Sequence, residues 1–142
     1  MDLLILVDNQ GGWGAFPERS YKASPVVLVV DDDDALRRLL QDYLLMTRFT
    51  CKGAANASEA LAILCQESID LVVSDIRMPG KDGMELMREA HREFPDIPFI
   101  IMTGYSSEYS YEGIIDAGAS DFIVKPFSLD ELKAKICRIQ KK

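Results

Sequence analysis

Four consecutive acids follow an apolar run in the segment VVLVVDDDDALRR, residues 26–38. Like charges packed together repel one another and resist desolvation, so an acidic run at the end of a buried strand needs a physical reason. A solvated loop tolerates such a run and is one interpretation. The other interpretation is that Asp31 and Asp32 hold a cation, and the ends of the neighbouring strands favour it.

Polar side chains also end three later apolar runs. Asp75 closes DLVVSD, Thr103 closes PFIIMT and Lys125 closes DFIVK. In an open parallel sheet the carboxyl ends of the strands share one edge, and ligands bind there. We therefore expect these three side chains to meet Asp31 and Asp32 at a single edge of the sheet.

Three carboxylates, a hydroxyl and an ammonium group in one place fit a site for a hard cation and a phosphoryl group. Carboxylate oxygens suit Mg²⁺, which keeps several waters and binds through one or two carboxylates. The side chains of Lys125 and Thr103 would hold phosphoryl oxygens. Asp75 is the natural nucleophile, because a carboxylate that attacks phosphorus gives an aspartyl phosphate.

The elements that position these residues are read from hydrophobic periodicity. Short apolar runs alternate with segments of helical spacing, which is typical of an α/β fold with a parallel sheet. The five predicted strands are VVLVV (26–30), FTCKGA (49–54), DLVVSD (70–75), PFIIMT (98–103) and DFIVK (121–125).

Helices with one buried face are predicted between the strands from i, i+3, i+4 spacing. In the last helix Ser128 and Glu131 have the spacing of a capping box. The predicted buried positions are Leu36, Leu39, Leu40, Tyr43 and Leu44 in the first helix, Leu86, Met87, Ala90 and Phe94 in a middle helix, and Leu129, Leu132, Ile136 and Ile139 in the last.

Residues 1–25 differ in composition from the rest of the chain. LLILVD could form a strand, but NQGGWGAFPERSYKASP is rich in turn-forming residues and shows no period. We interpret residues 1–25 as a flexible N-terminal appendage and residues 26–142 as the folded domain. The appendage has an acid at Asp2 and no basic flank, which argues against a signal peptide.

Composition limits the classes of function. The formal charge of −7, with 23 acidic and 16 basic residues among 142, opposes direct binding to nucleic acid, which needs clustered cations. The apolar stretches are too short to span a membrane.

Three widely separated cysteines, Cys51, Cys65 and Cys137, are expected to be buried free thiols in a reducing cytoplasm. His91, the sole histidine, is expected on the surface of a helix.

The segments VVDDDDALRRLL, DLVVSDIRMPGKDGMEL, IIMTG and DFIVKPFSLDEL recur in an order and at separations that resemble the receiver (CheY-like) domains of two-component response regulators. The resemblance spans about residues 26 to 140. It implies a doubly wound, flavodoxin-like sheet of five parallel strands in the order 2-1-3-4-5, with helices on both faces.

The resemblance also implies roles for single residues. Asp75 would accept a phosphoryl group from a kinase phosphohistidine, with Mg²⁺ held by Asp31, Asp32, Asp75 and the backbone carbonyl of Arg77. Thr103 and Lys125 would contact the phosphoryl group, and a cis peptide would precede Pro126. Thr103 and Phe122 would form the switch, and Arg77 and Tyr105 would set the lifetime of the phosphoryl group.

The implied protein is a bacterial phosphoacceptor switch rather than a metabolic enzyme, with only self-catalysed phosphotransfer and dephosphorylation. Its implied partners are a sensor histidine kinase or phosphotransfer protein and a downstream protein or output domain. Phosphorylation would change the face of helix 4, strand 5 and helix 5, where Tyr109, Tyr111 and Ile114 are candidate contacts for a partner or a phosphorylation-dependent dimer. The sequence leaves open whether the chain is a complete single-domain regulator.

Two alternatives remain at this point. A haloacid-dehalogenase-like phosphohydrolase also begins with an apolar strand and a D-x-D pattern, but it would leave Asp75 and the MPGKDG loop unexplained. A receiver-like interaction module without phosphorylation is the second, and the complete set of acids argues against it.

Overall fold

The computed structural model describes residues 3–7, 13–17, 24–104 and 108–141. In these ranges the strands are β1 (Leu3–Val7), β2 (Trp13–Pro17), β3 (Val26–Val30), β4 (Thr50–Ala54), β5 (Leu71–Asp75), β6 (Phe99–Thr103) and β7 (Asp121–Val124). The helices are α1 (Asp34–Met46), α2 (Ala57–Gln66), α3 (Gly83–Glu93), α4 (Tyr111–Asp116) and α5 (Leu129–Gln140).

Strands β3 to β7 form one parallel sheet in the order β4-β3-β5-β6-β7. Counted along the chain, these five strands have the order 2-1-3-4-5, so the predicted doubly wound fold is confirmed. Each strand begins and ends within one residue of its predicted bounds. The order reverses between β3 and β5, and ligand sites in this topology lie at the carboxyl ends of the strands beside that reversal.

The hydrophobic core lies on both faces of the sheet because successive residues of a strand point to opposite sides. Val27 and Val29 of β3 pack on the side of α1 and α5, where Leu40, Leu44, Leu132 and Ile136 are fully buried. Leu28 and Val30 pack on the side of α2, α3 and α4. Strands buried on both faces explain why the sequence shows unbroken apolar runs.

Helix α1 buries a narrower face than its sequence predicts. Leu40 and Leu44 are fully buried, whereas Leu36 and Tyr43 are half-buried. Leu39 was predicted on the buried face, but it is 52% exposed, so that prediction is wrong. Leu39 precedes Leu40 by one position, which turns its side chain about 100° around the helix and out to solvent.

Helix caps involve the predicted residues in α5 and an unpredicted pair in α3. Ser128 caps α5, and its side chain accepts a hydrogen bond from the Glu131 N–H at 3.1 Å. The reciprocal capping box, with both side chain to backbone bonds, joins Asp82 and Glu85 at the start of α3.

Within residues 1–25 the structure describes a two-stranded antiparallel sheet, in which Leu3 pairs with Pro17 and Val7 pairs with Trp13. Strand β1 coincides with LLILV, which the sequence allows as a strand. Strand β2 was not predicted, because its glycine and proline residues are depleted in strands generally. The flexible character of residues 1–25 stays a prediction.

Several expectations about single side chains are corrected. Cys51 and Cys137 are half-buried free thiols, and burial raises the pKa of Cys51 to about 12, but Cys65 is exposed. His91 is half-buried, with its Nε2 2.9 Å from the Ile97 carbonyl oxygen and its ring edge-on to Phe99.

No helix in the described ranges is both long enough and apolar enough to cross a membrane.

Candidate functional site

Three carboxylates gather at the carboxyl ends of β3 and β5. Asp31 and Asp32 follow β3 directly, and Asp75 is the last residue of β5. Each offers one oxygen, and these oxygens all lie within 4.8 Å of one another. Asp31 is fully buried, Asp75 is half-buried and Asp32 is exposed, so the cluster opens to solvent on the side of Asp32.

Lys125 joins two of these carboxylates. Its Nζ lies 3.3 Å from Asp31 Oδ2 and 3.3 Å from Asp75 Oδ2. The backbone positions it at the end of β7, where its N–H donates to the Thr103 carbonyl at 2.7 Å and the Lys125–Pro126 peptide bond is cis. An ammonium group between two carboxylates offsets the repulsion that burying both acids would otherwise create.

Asp31 is fixed from several directions. Its Oδ1 accepts a hydrogen bond from the Asp33 N–H at 2.9 Å, and its backbone carbonyl accepts one from Arg37 Nη1 at 2.7 Å. Its Oδ2 faces Lys125. A buried carboxylate with a cation and a backbone donor has its charge compensated, so Asp31 can remain in place beside a second acid.

The four acids of the run divide into two roles. Asp33 is the N-cap of α1, and its Oδ1 accepts from the N–H groups of Ala35 and Leu36 at 3.1 Å each. Asp34 is the first residue of α1 and pairs with Arg37 at 2.6 Å. Asp33 and Asp34 therefore serve helix α1, where acids are favoured at the N-terminus.

Asp75 is half-buried, and the pKa of its carboxyl group is perturbed. Its Oδ1 accepts a hydrogen bond from the Ile76 N–H at 2.9 Å, and its Oδ2 faces Lys125. Burial raises the pKa of Asp75 and the charge of Asp31 adds to that rise, while Lys125 and the Ile76 N–H oppose it. The folded chain therefore destabilises the ionised form of Asp75, and an added cation would stabilise that form.

Gly83 positions the backbone of Asp75, a role that the sequence did not show. Its N–H donates to the Ile76 carbonyl at 2.8 Å, and a Cβ at residue 83 would lie 2.1 Å from the Asp75 carbonyl oxygen. In the sequence, Pro79 and Gly83 of MPGKDG have the residue types of a turn after Asp75. Gly83 is instead the buried first residue of α3, and the glycine with a turn conformation is Gly80, at φ +80°.

Thr103 ends β6 beside the Lys125 backbone and is 1% exposed. Its Oγ1 donates to the Gly104 carbonyl at 3.4 Å, a long bond that is easily exchanged for a better acceptor. A Cβ at Gly104 would meet no atom within 4 Å. The structure thus brings Asp31, Asp75 and Lys125 into contact and places Thr103 at the same sheet edge.

A cleft of about 470 Å³ lies between the segment after β5 and the segment before α4. It borders the acidic cluster at Asp32, and the exposed Arg77 side chain lines it. Tyr105 lies outside the described residues. The full lining is Asp32, Ile76, Arg77, Met78, Pro79, Asp82, Glu108 and Tyr109.

The face of α4, β7 and α5 carries an aromatic pair. Tyr111 of α4 stacks on Phe122 of β7, with ring centroids 4.5 Å apart and an interplanar angle of 12°. Tyr111 is 42% exposed and Ile115 is 43% exposed. Ile114, a candidate contact residue from the sequence, is fully buried, so that prediction is wrong, and Ile115 holds the exposed position instead.

The residues present fit a hard divalent cation. Oxygen ligands from Asp31, Asp32 and Asp75 are the donors that Mg²⁺ prefers, and the exposed side of Asp32 leaves room for the waters that Mg²⁺ retains. A metal role for the Arg77 carbonyl stays a prediction.

Comparisons with known proteins agree with this geometry. A family model described as the response regulator receiver domain matches residues 27–137. The C4-dicarboxylate transport transcriptional regulatory protein DctD of Rhizobium meliloti is 42% identical over 120 residues, which are 84% of this chain and 26% of that protein. The DNA-binding transcriptional regulator NtrC of Salmonella typhimurium is 39% identical over 80% of this chain and 24% of its own. The chain thus spans about a quarter of the length of these relatives.

Solved structures show the same fold. A CheY-like receiver domain protein from Methanospirillum hungatei superposes with a TM-score of 0.77 and 33% identity, covering 82% of this chain and 93% of that one. The receiver domain of NtrX from Brucella abortus gives a TM-score of 0.77 and 31% identity, covering 82% and 98%. With the family match over residues 27–137, these likenesses show that the chain belongs to the response regulator receiver domains of two-component systems.

Proposed function

We propose that Asp75 is a phosphoacceptor that takes a phosphoryl group from the phosphohistidine of a sensor histidine kinase or phosphotransfer protein. One observation carries the proposal: the Lys125 ammonium lies 3.3 Å from both Asp31 and Asp75, at the carboxyl edge of the sheet. A cation already in contact with the nucleophile can meet the charge of the incoming phosphoryl oxygens without reorganisation.

The transfer needs no further reactant. A carboxylate oxygen of Asp75 forms a bond to phosphorus as the bond from phosphorus to the donor's imidazole nitrogen breaks. The nitrogen keeps the electron pair and is protonated from solvent. Hydrolysis by water later returns the Asp75 carboxylate and releases inorganic phosphate, so the chain acts as a signalling domain with self-catalysed chemistry.

Mg²⁺ is the proposed cofactor, held by Asp31, Asp32, Asp75 and the Arg77 carbonyl. When bound, it supplies positive charge to the phosphoryl oxygens. The chain's own contribution is to fix Asp31 through Asp33 and Lys125, so that its carboxylate does not need to reorient. Lys125 would then hold one phosphoryl oxygen and Thr103 another.

The proposed response is a population shift between two packings. Thr103 exchanges its 3.4 Å bond to the Gly104 carbonyl for a phosphoryl oxygen, and Phe122 turns into the space that Thr103 leaves. The face of α4, β7 and α5 changes because Phe122 stacks on Tyr111 there. Tyr111 is then a candidate contact for a downstream protein, an output domain or a phosphorylation-dependent dimer.

The wider context is also a proposal. The relatives include a transcriptional regulatory protein and a DNA-binding regulator, and this chain matches about a quarter of each. We infer that any DNA binding belongs to other parts of such proteins, because the net charge of −7 disfavours contact with phosphate backbones. A cytoplasmic location would fit a kinase partner.

Treatment with acetyl phosphate and Mg²⁺ tests the proposal. Intact mass spectrometry should show one acid-labile phosphoryl adduct on the wild type and none on Asp75→Asn. Asp96→Asn, which changes an exposed carboxylate in the turn after α3, is the matched control and should be modified like the wild type. A full adduct on Asp75→Asn would assign the phosphoacceptor elsewhere.

The same experiment addresses the alternatives. No adduct on any variant, with acetyl phosphate or with a phosphorylated kinase, would favour the interaction module without phosphorylation. The haloacid-dehalogenase-like alternative is no longer favoured, because the receiver family model matches the segment that contains Asp75 and the loop after it.

A further inference from the structure

A hydrogen bond ties the segment before α4 to the start of α3. The Tyr109 hydroxyl donates to Asp82 Oδ2 at 3.0 Å, across 27 residues of sequence. Tyr109 stands two positions before the first residue of α4, and Asp82 stands directly before α3. The bond therefore links the residues just before α3 and α4, and both of its residues line the cleft that borders Asp32.

Asp82 is a rigid anchor for this bond. Its Oδ1 accepts from the Glu85 N–H at 2.8 Å, and its own N–H donates to Glu85 Oε1 at 3.2 Å. The next residue, Gly83, packs against the Asp75 carbonyl so closely that no Cβ fits. Tyr109 is thus tied to the part of the backbone that carries the phosphoacceptor.

The other end of the bond restrains α4. Tyr109 is followed by the N-cap Ser110 and by Tyr111, which stacks on Phe122. Burial raises the pKa of Tyr109, and the Asp82 carboxylate adds to that rise while Arg88 opposes it, so the hydroxyl keeps its proton at neutral pH and remains the donor. The start of α4 is held on one side by Asp82 and on the other by Phe122.

Charge in the cleft sets the direction of the effect. The carboxylates of Asp32, Asp82 and Glu108 line it. A phosphoryl group on Asp75 adds negative charge beside them, and like charges in a partly desolvated cleft repel. Arg77 also lines the cleft and offsets part of the negative charge, but the three carboxylates outnumber it, so the packing in which Asp82 and Glu108 both line the cleft is the one that the added charge disfavours.

We propose that the hydrogen bond from Tyr109 to Asp82 is a restraint that holds α4 in its unphosphorylated packing and is released in the phosphorylated one. The proposal rests on the proposed function for its second half and on the geometry of this structure for its first. It predicts that removing the bond favours the activated packing. The bond stabilises the unphosphorylated packing alone, so its loss shifts the equilibrium toward the other packing.

The test compares Tyr109→Phe with Tyr43→Phe. Both variants remove one hydroxyl that donates to an aspartate, since Tyr43 donates to Asp130 Oδ1 at 2.5 Å between α1 and α5. Amide hydrogen exchange without any phosphoryl mimic should become faster in α4 of Tyr109→Phe and should be unchanged there in Tyr43→Phe. Beryllofluoride with Mg²⁺ should bind Tyr109→Phe about fivefold to tenfold more tightly than the wild type.

A second variant removes the acceptor of the bond in place of its donor. Asp82→Ser retains an N-cap acceptor for α3 and lacks the second oxygen that Tyr109 uses. Its beryllofluoride affinity should rise at least as much as that of Tyr109→Phe, because Asp82→Ser breaks the same bond and also removes one carboxylate from the cleft. The two changes should be less than additive in the double variant, because they share that bond.

Unchanged exchange in α4 of Tyr109→Phe, or weaker beryllofluoride binding, would overturn the restraint. Failure of the wild type to bind beryllofluoride would instead count against the proposed function, and faster exchange in Tyr109→Phe would still establish that the bond holds α4. The two failures are therefore distinguishable.

Discussion

Gly83 lies against the carbonyl oxygen of Asp75 so closely that a Cβ on residue 83 would be 2.1 Å from it. The contact is between two backbones, because the Gly83 N–H also donates to the Ile76 carbonyl at 2.8 Å. Neither partner can rotate away as a flexible side chain could. The start of α3 is therefore built directly onto the strand end that carries Asp75, the phosphoacceptor that we propose.

Gly83→Ala should destabilise the fold and disturb the site together. Alanine is intrinsically better than glycine in a helix by about 1 kcal/mol, but the clash with a backbone oxygen outweighs that gain. We expect the free energy of unfolding to fall by about 2 kcal/mol or more, and the affinity for beryllofluoride to fall with it. Urea unfolding and calorimetry measure the two effects.

Gly104→Ala is the matched control, since a Cβ there would meet no atom within 4 Å. Its free energy of unfolding should stay within about 0.5 kcal/mol of the wild type. Equal stability of the two variants would show that α3 moves away from Asp75 without penalty.

The perturbed carboxyl of Asp75 predicts a pH-dependent gain in stability for Asp75→Asn. Burial, and then Asp31, raise the pKa of Asp75 above its ordinary value of 3.8. At neutral pH the ionised group is thus better solvated in the unfolded chain, and the native state gains relative stability as the pH falls through the folded pKa. Below 3.8 both states are protonated and the effect is complete.

Asp75→Asn should therefore have a higher free energy of unfolding than the wild type at pH 7, and the difference should shrink toward pH 4. Urea unfolding in the presence of a chelator, at both pH values, measures it. Asp96→Asn controls for the general loss of one negative charge. A difference that is independent of pH would contradict the assignment of the perturbed pKa to Asp75.

Much of this arrangement could be predicted from the sequence. Parallel strands have a short apolar signature, and the topology itself brings their carboxyl ends together, so the meeting of Asp31 and Asp75 with Lys125 follows from strand order. The contact of Gly83 with Asp75 could not be predicted in this way. It depends on the path of the loop between β5 and α3, which leaves no periodic signal.

Side-chain burial at single positions also could not be predicted from the sequence. Leu39 satisfies the same helical spacing as its buried neighbours, yet it is 52% exposed because α1 buries a narrow face. Ile114 and Ile115 are adjacent and equally apolar, and only the helix orientation decides that Ile114 is buried. The bond from Tyr109 to Asp82 joins two loops and was likewise not predicted.

The acidic run should separate into a metal ligand and a helix cap on mutation. Asp32→Ala removes an exposed member of the carboxylate cluster, so affinity for Mg²⁺ should fall by roughly tenfold while the fold is unaffected. Asp33→Ala removes two hydrogen bonds from the N-terminus of α1, so the free energy of unfolding should fall by about 1 kcal/mol with little change in Mg²⁺ affinity.

Isothermal calorimetry and urea unfolding of the two variants give both quantities. Asp33→Ser keeps a capping oxygen and should recover most of the stability. Equal loss of Mg²⁺ affinity in Asp32→Ala and Asp33→Ala would indicate a diffuse negative patch in place of a defined site.

The stacked pair of Tyr111 and Phe122 should hold Phe122 in its present orientation. Tyr111→Ala removes the ring 4.5 Å from Phe122, and the free energy of unfolding should fall by about 0.5–1.5 kcal/mol from lost stacking alone. NMR should show altered Phe122 ring resonances. Tyr111→Phe keeps the ring and should retain both properties, and an equal loss in the two variants would place the effect in the hydroxyl.

Arg77 should lengthen the lifetime of the phosphorylated state that we propose. Its exposed side chain lines the cleft that borders Asp32, two residues beyond Asp75. Hydrolysis needs a water in line with the bond between Asp75 and phosphorus, and a guanidinium group beside the site can exclude that water or bond the phosphoryl oxygens without orienting a nucleophile.

Arg77→Asn should therefore shorten the lifetime by roughly tenfold, equivalent to about 1.4 kcal/mol of barrier. The loss of acid-labile phosphate over time, after removal of the donor, measures it, and Arg92→Asn on the exposed face of α3 is the control. Arg77→Lys separates the causes, because lysine keeps the charge and lacks the planar fork. A lifetime that is unchanged in Arg77→Asn would mean that the guanidinium neither excludes the attacking water nor bonds the phosphoryl group.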